Sequence, residues 1–192
     1  MDTREFYDLL CATYFEREAE LKQKFDRSLP FCDALFDRWE RARRLNFGEG
    51  TSIYNSSIVF GEVKVGLNTW IGPYTILDGS GGGIIIGDYC SVSSGVHIYT
   101  HDTVLWALSG GKLSKHTGPV HIGNCVYIGS QCVIATGVRI GMRCVIAANS
   151  FVNHDVPDGT IVGGSPAEVI GQVEDEGESV RVIMSSRACR DD

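Results

Sequence analysis

The chain has 192 residues, a formal net charge of −7 and 43% hydrophobic residues, enough for one domain or one domain with an appendage. No apolar run approaches membrane-spanning length, no long basic run suits nucleic acid or an anionic membrane, and Met1-Asp2-Thr3-Arg4-Glu5 lacks the basic and apolar regions of a signal peptide. A cytoplasmic location is the expectation. Glycine and charge then divide the chain unevenly. None of the 23 glycines falls in residues 1–47, which hold 19 charged residues; residues 48–171 hold only 13. Three regions follow: a charged cap over 1–47, a glycine-rich body over 48–171, and an acidic tail over 172–192.

In the cap, Phe6, Leu9, Leu10, Thr13, Tyr14, Leu21 and Phe25 recur at roughly helical spacing within 3–26. Asp2 and Glu5 stand three apart, as a capping box requires. Pro30 suits the first turn of a second helix with Phe31, Ala34, Leu35 and Trp39 on its apolar face. That helix is expected to end in Arg41-Ala42-Arg43-Arg44, which complements the C-terminal dipole; a phosphate-binding role for these arginines is the alternative. Helices this short need a larger body to lean on.

The body repeats every six residues. Aliphatics stand at Ile53, Val59, Val65, Ile71 and Leu77, then at Ile86, Val92 and Ile98, then at Ile122, Ile128, Ile134, Ile140, Ile146 and Val152. Gly or Ala often follows, and four residues on comes a small or β-branched residue such as Ser57, Thr69, Cys90, Cys132 or Cys144. Such a period predicts a solenoid of short strands whose stacked coils share one apolar column; a helix would need 3.6. Gly or Ala beside the aliphatic leaves room at the corner. The cysteines in the small-residue slot read as buried thiols, and an odd total of seven with no CxxC argues against a disulfide framework.

This pattern resembles the hexapeptide-repeat acyltransferases over about residues 51–171. The resemblance implies a mainly β fold, a left-handed parallel β-helix of triangular section with a short N-terminal helical appendage. It also implies an acetyl-CoA-dependent acetyltransferase acting on a hydroxyl or amine of a sugar or nucleotide-linked amino sugar, arranged as a homotrimer with its sites between neighbouring subunits. No metal, nucleic acid or membrane insertion is expected. The helices of the cap would cover the first coil, whose open edge invites aggregation.

The ladder is interrupted twice. Asp78-Gly79-Ser80-Gly81-Gly82-Gly83 reads as a corner loop, and no Gly-Lys-Ser/Thr follows it to make a phosphate loop. By resemblance Asp78 contacts the acceptor; an ordinary turn Asp is the alternative. The second interruption, Tyr99 to Pro119, is long enough to be functional. By resemblance the His that opens this loop is the general base, here His101, which would deprotonate the acceptor as it attacks an already activated thioester. Asp102 beside it, His97 on the preceding coil and Trp106 in Val104-Leu105-Trp106-Ala107-Leu108 are candidate substrate contacts. That run is too brief to assign to helix or strand, and Trp106 serves equally as an apolar anchor for the loop.

For the cofactor, Val162-Gly-Gly-Ser-Pro-Ala-Glu-Val-Ile170 is similar to the family's closing Gly-x-Pro-Ala-x-x-Ile, which places Ser165, Pro166 and Ala167 near pantetheine. Ser130 and Ala148 match positions whose backbone meets the same group. Asn153 and His154 stand where Thr-Lys is common, and Glu168 stands where the family often has a cation. Two competing readings remain: a zinc hydratase similar to the γ-class carbonic anhydrases, with His97, His116 and His121 as ligands, and a non-catalytic scaffold. In the tail, residues 179–184 have the composition of a strand.

Overall fold

The computed structural model describes residues 1–177 and 179–185. The first helix, α1 (Thr3–Phe25), begins at the expected capping box: Asp2 accepts from the Arg4 and Glu5 amides, and Glu5 accepts from the Asp2 amide. None of its residues is buried. The second expected helix is two helices, α2 (Phe31–Leu35) and α3 (Arg38–Arg44). Phe36 is extended, and Asp37 starts a new helix by accepting from the Glu40 amide, so a capping residue breaks what apolar spacing alone would continue. Of the basic run that closes α3, Arg41 is used structurally. Its guanidinium donates to the carbonyls of Tyr54 and Ser57 and ties the cap to the first coil.

The coils begin with β1 (Ser52–Ile53), β2 (Ile58–Val65), β3 (Trp70–Ile71), β4 (Ile76–Ile86), β5 (Ser91–Val92) and β6 (His97–Tyr99). An excursion follows, made of β7 (His101–Asp102), α4 (Val104–Leu108) and β8 (His116–Thr117). The coils then resume as β9 (Val120–Ile122), β10 (Tyr127–Ile128), β11 (Val133–Ile134), β12 (Arg139–Ile140), β13 (Val145–Ile146), β14 (Phe151–Val152) and β15 (Thr160–Gly163). All pairing among these coil strands is parallel.

The register builds three walls. On the first, Ile53 pairs with Ile71, Ile71 with Val92, Val92 with Ile128, Ile128 with Ile146 and Ile146 with Val162. On the second, Val59, Leu77, Ile98, Ile134 and Val152 follow one another, and on the third Val65, Ile86, Ile122 and Ile140. These aliphatics point into one column, where Ile53, Ile71, Leu77, Ile98, Ile128, Ile134 and Ile146 are fully buried. Two antiparallel strands, β16 (Glu168–Asp175) and β17 (Val180–Met184), extend the first wall. The strand expected over 179–184 is therefore present, while 186–192 of the tail lie outside the described residues.

The small-residue slot has a chemical reason. Thr51, Ser57 and Thr69 donate to the carbonyls of Gly66, Gly72 and Gly87 at 2.7–2.9 Å. Cys90, Cys132 and Cys144 donate to Gly123, Ala147 and Pro157 at 3.0–3.1 Å. Each of these six side chains thus hydrogen-bonds a corner carbonyl on the next coil, whereas Thr75 in the same slot keeps a buried hydroxyl without a partner. Burial raises the pKa of all three thiols, which keeps them protonated as donors.

The corner glycine is required by close approach rather than by its own torsion. A Cβ on Gly129 would sit 2.5 Å from the Ala148 amide nitrogen of the next coil. The left-handed residue is two positions later and is usually not glycine: Tyr74, Tyr89, Cys125, Gln131, Arg143 and Asn149 all have φ between 55° and 62°.

Candidate active site at one corner

Both interruptions of the ladder occur at the same corner, where the second wall turns into the third. The first is not a loop. Strand β4 continues through Asp78–Gly83 around the corner, pairing with β2 on either side while Ser80–Gly83 bulge between the Gly61–Gly79 and Val63–Ile84 pairs. Glycines permit this because neighbouring backbones crowd the segment; a Cβ on Gly81 would run into the Thr100 carbonyl. One coil on, the excursion of residues 99–119 leaves and returns. Thr100 clamps its root: fully buried, it donates its hydroxyl to the Asp78 carbonyl at 2.7 Å and accepts from the Gly81 amide at 2.7 Å, while its carbonyl accepts from Gly118 at 2.9 Å.

This clamp sets His101 against the bulged strand. Its Nδ1 lies 3.7 Å from Asp78 Oδ2 and 3.4 Å from Ser80 Oγ. At these separations the pairing is electrostatic rather than a formed hydrogen bond. Ser80 donates its amide at 3.0 Å and its hydroxyl at 2.6 Å to Asp78 Oδ1, fixing the carboxylate. Burial by itself would raise the Asp78 pKa, but the Ser80 hydrogen bonds and the nearby charges of His101 and Lys115 leave it below the ordinary carboxylate value. Asp78 therefore stays anionic as pH falls from neutrality. Whatever it contributes to stability is present above the usual Asp pKa of about 3.9 and is lost only as pH drops through its lower folded-state value. An anion beside Nδ1 favours a proton there and leaves Nε2 as the basic nitrogen.

The other candidates are placed as follows. Asp102 does not pair with His101; Oδ2 meets His116 Nδ1 at 3.0 Å across the β7–β8 ladder, and Oδ1 accepts from the Val104 amide at 3.0 Å. Those hydrogen bonds lower its pKa. The Asp102–His116 pair closes the neck of the excursion. His97, on the outer side of the second wall, contacts Tyr99, with Nδ1 3.4 Å from the phenol oxygen. Trp106 is on α4, so the short apolar run is helical; its indole is exposed and lies beside Gly111. His121 is on the third wall, and its Nδ1 is buried without a hydrogen-bond partner. His97, His116 and His121 thus face different neighbours, and among the described residues no three His, Cys, Asp or Glu side chains are grouped to hold a metal ion.

The candidate cofactor residues divide between two corners. Ser130 and Ala148 stack on successive coils between the first and second walls, where the Asn149 amide donates to the Ser130 carbonyl at 2.9 Å. Ser165, Pro166 and Ala167 continue that corner; Ala167 is buried and its amide donates to Phe151 at 2.8 Å. Asn153 and His154 lie instead on the His101 corner, two coils further on, both exposed. Ser80 and Thr100 were not singled out by sequence reading. Ser80 lay inside a glycine run that looked like a flexible turn, and the small residue before His101 gave no sign of its clamp.

A parallel solenoid of six-residue repeats with an imidazole at the root of a corner excursion defines a class, and comparison with known proteins places the chain within it. The family model described as bacterial transferase hexapeptide (six repeats) matches residues 119–154. The crystal structure of a hexapeptide-repeat containing acetyltransferase from Vibrio cholerae superimposes with a TM-score of 0.65 at 31% identity, covering 86% of this chain and 93% of that one. The chain belongs to the hexapeptide-repeat acetyltransferases. A mutant of AntD, an N-acyltransferase from Bacillus cereus in complex with dTDP and coenzyme A, is similar at 29% identity and a TM-score of 0.60, over 66% of this chain and 72% of that one. A Staphylococcus aureus 2,3,4,5-tetrahydropyridine-2,6-dicarboxylate N-acetyltransferase is 38% identical over 79 residues, which is 41% of this chain and 33% of the relative. The chain spans about a third of the length of the curated relatives it matches. Among the described residues no helix is long and apolar enough to cross a membrane.

Proposed function

We propose that the protein is an acetyltransferase that moves an acetyl group from acetyl-CoA to the amine or hydroxyl of a nucleotide-linked sugar, with His101 as general base. The observation that carries this reading is His101 itself: an imidazole at the root of the excursion with Asp78 and Ser80 on its Nδ1 side. Nε2 accepts the proton of the acceptor as its nitrogen or oxygen attacks the thioester carbonyl. The tetrahedral intermediate then collapses, the C–S bond breaks, and the coenzyme A thiolate leaves and takes up the proton. No covalent enzyme intermediate is needed. An amino-sugar acceptor is supported by the N-acyltransferase relatives, one of which was crystallised with dTDP-4-amino-4,6-dideoxyglucose and coenzyme A.

Asp78 is a positioning residue in this scheme rather than a contact to substrate. Asp78→Asn should lower kcat by about tenfold or more with little change in either KM, because it weakens the hold on the Nδ1 proton. An unchanged kcat with a raised acceptor KM would return Asp78 to substrate binding.

The two cofactor sets, on different corners of one left-handed β-helix, support a homotrimer. In it, the His101 corner of one copy would face the Ser130–Ala148 corner of its neighbour, and acetyl-CoA would lie between them. Exposed Ala148 and Ser165 leave the backbone of that corner open to pantetheine. Glu168 offers no cation to the cofactor phosphates, and His154 is a weaker one than lysine at neutral pH.

A further inference from the structure

The chemistry assigned to His101 leaves its acceptor without a handhold. Asp78 is turned to His101, Asp102 to His116 and His97 to Tyr99, so each of these side chains is already engaged. In the proposed arrangement acetyl-CoA lies along the later coils, where Ser130, Ala148 and Ser165 stand. An acceptor then reaches His101 from the earlier side, across the corners of the first two coils.

Those corners are stacked in register. Phe60 pairs with Asp78 and Asp78 with Tyr99; past the corner, Lys64 pairs with Ile85 and Ile85 with His121. Between these pairs the bulge of Ser80–Gly83 carries a single side chain, and Ser80 spends its hydroxyl on Asp78. Gly81, Gly82 and Gly83 present only backbone. A recess of about 60 Å³ opens beside them, lined by Gly82, Gly83, Pro119, His121, Glu62 and Lys64. Pro119 stands two residues beyond Thr117, the ladder partner of His101, so the recess adjoins the root of the excursion.

The charged groups of this recess form one pair. Lys64 Nζ lies 2.7 Å from Glu62 Oε1. The hydrogen bond and charge of Lys64 hold the Glu62 carboxyl below the ordinary value, so it is an anion at neutral pH. Its Oε2 lies over Gly83, 3.9 Å from where a Cβ would stand, and among the described residues no other side chain hydrogen-bonds it. Lys64 keeps further N–H donors of its own. Both side chains are exposed, so the pair adds little to stability and is open to a ligand. Phe60, 51% exposed and one strand below Asp78, adds a flat apolar surface.

A fixed acceptor and a fixed donor beside an aromatic ring suit a sugar, whose hydroxyls both donate and accept and whose C–H face packs on a ring. Size narrows the choice. The recess has room for about two waters at roughly 30 Å³ each, enough for a hydroxyl or hydroxymethyl group but not for a ring. His101 stacks on Gly81, and the Glu62 backbone lies under Gly79. Base and carboxylate are thus two strand spacings apart, roughly 10 Å, which a hexose and two side chains span. We propose, resting on the acetyl-transfer reading, that Glu62 and Lys64 orient the acceptor by hydrogen-bonding a hydroxyl-bearing substituent of its sugar in this recess, with Phe60 against the ring. Asp78 then positions the base, while Glu62 and Lys64 select what reaches it.

Calorimetric titration of the full chain with UDP-glucosamine, UDP-galactosamine and dTDP-glucose, without acetyl-CoA, tests this, with UDP and dTDP as controls. The double variant Glu62→Ala/Lys64→Ala keeps the net charge and removes only exposed side chains. It should weaken binding of the sugar nucleotides about tenfold or more and leave any binding of UDP or dTDP unchanged. In the transfer assay it should raise the acceptor KM by a similar factor, with kcat at saturation and the KM for acetyl-CoA within about twofold of wild type. Phe60→Ala should raise the acceptor KM a few-fold, and Phe60→Tyr should restore it. Four results would overturn the assignment: no sugar nucleotide bound by wild type, sugar-nucleotide binding unaltered in the double variant, an equal loss of UDP or dTDP binding, or a loss confined to kcat. Because the titration needs no turnover, failure of acetyl transfer alone counts against the catalytic proposal and not against this pair.

Discussion

His101→Ala is expected to reduce kcat for acetyl transfer by roughly 10²–10⁴-fold, the range for loss of a positioned general base. The KM for acetyl-CoA should change little, because Ser130, Ala148 and Ser165–Ala167 lie at a different corner and Asn153 and His154 lie two coils further on. The fold should survive, since the ring is partly exposed, with 24% of the side chain accessible, and its Nδ1 makes no short hydrogen bond. Turnover within about threefold of wild type would remove His101 from the mechanism, because a lost base costs far more.

The largest stability effect is expected from the column. Ile134 is fully buried on the second wall, paired with Ile98 on one side and Val152 on the other. Ile134→Ala removes buried methyl groups and leaves a cavity that stiff neighbouring coils close poorly. The cost should be on the order of 2–5 kcal/mol. Each kcal/mol corresponds to about 2–4 °C for a domain of this size, so thermal unfolding should show a clear drop. Because each coil supports the next, the excursion that holds His101 loses its footing too. A shift below about 1 kcal/mol would mean that the coils relax independently and that the column is not the main source of stability.

The column, its three walls and the place of the excursion were legible because they rest on period and steric size, which a sequence carries openly. Ile53 to Val152 could be written down as a ladder before any coordinate was known. What did not show was whatever depends on the coil above or below. The Asp78–Gly83 segment reads locally as a flexible loop; only the facing β2 strand makes it a bulged strand. Thr100 carries ordinary turn chemistry along the chain and takes its role from neighbours 19 and 22 residues away, while Ser80, which fixes Asp78 locally, meets His101 21 residues away. Asp102, offered by the sequence as a substrate contact, is turned by alternation along β7 to His116. In the cap, Asp37 breaks a helix that apolar spacing alone would continue. Arg41, part of what looked like a solvated basic end, is the residue that ties the cap to the first coil.

Acceptor-dependent release of free thiol from acetyl-CoA tests the central claim most directly. The assay should run wild type over nucleotide-linked amino sugars, simple sugars and hydroxyl-bearing compounds, with His101→Ala alongside. The account predicts release that requires an acceptor, is strongest for a nucleotide-linked amino sugar, and collapses in the variant. Release that ignores the acceptor, equal release by the variant, or none from any member of the panel would contradict it.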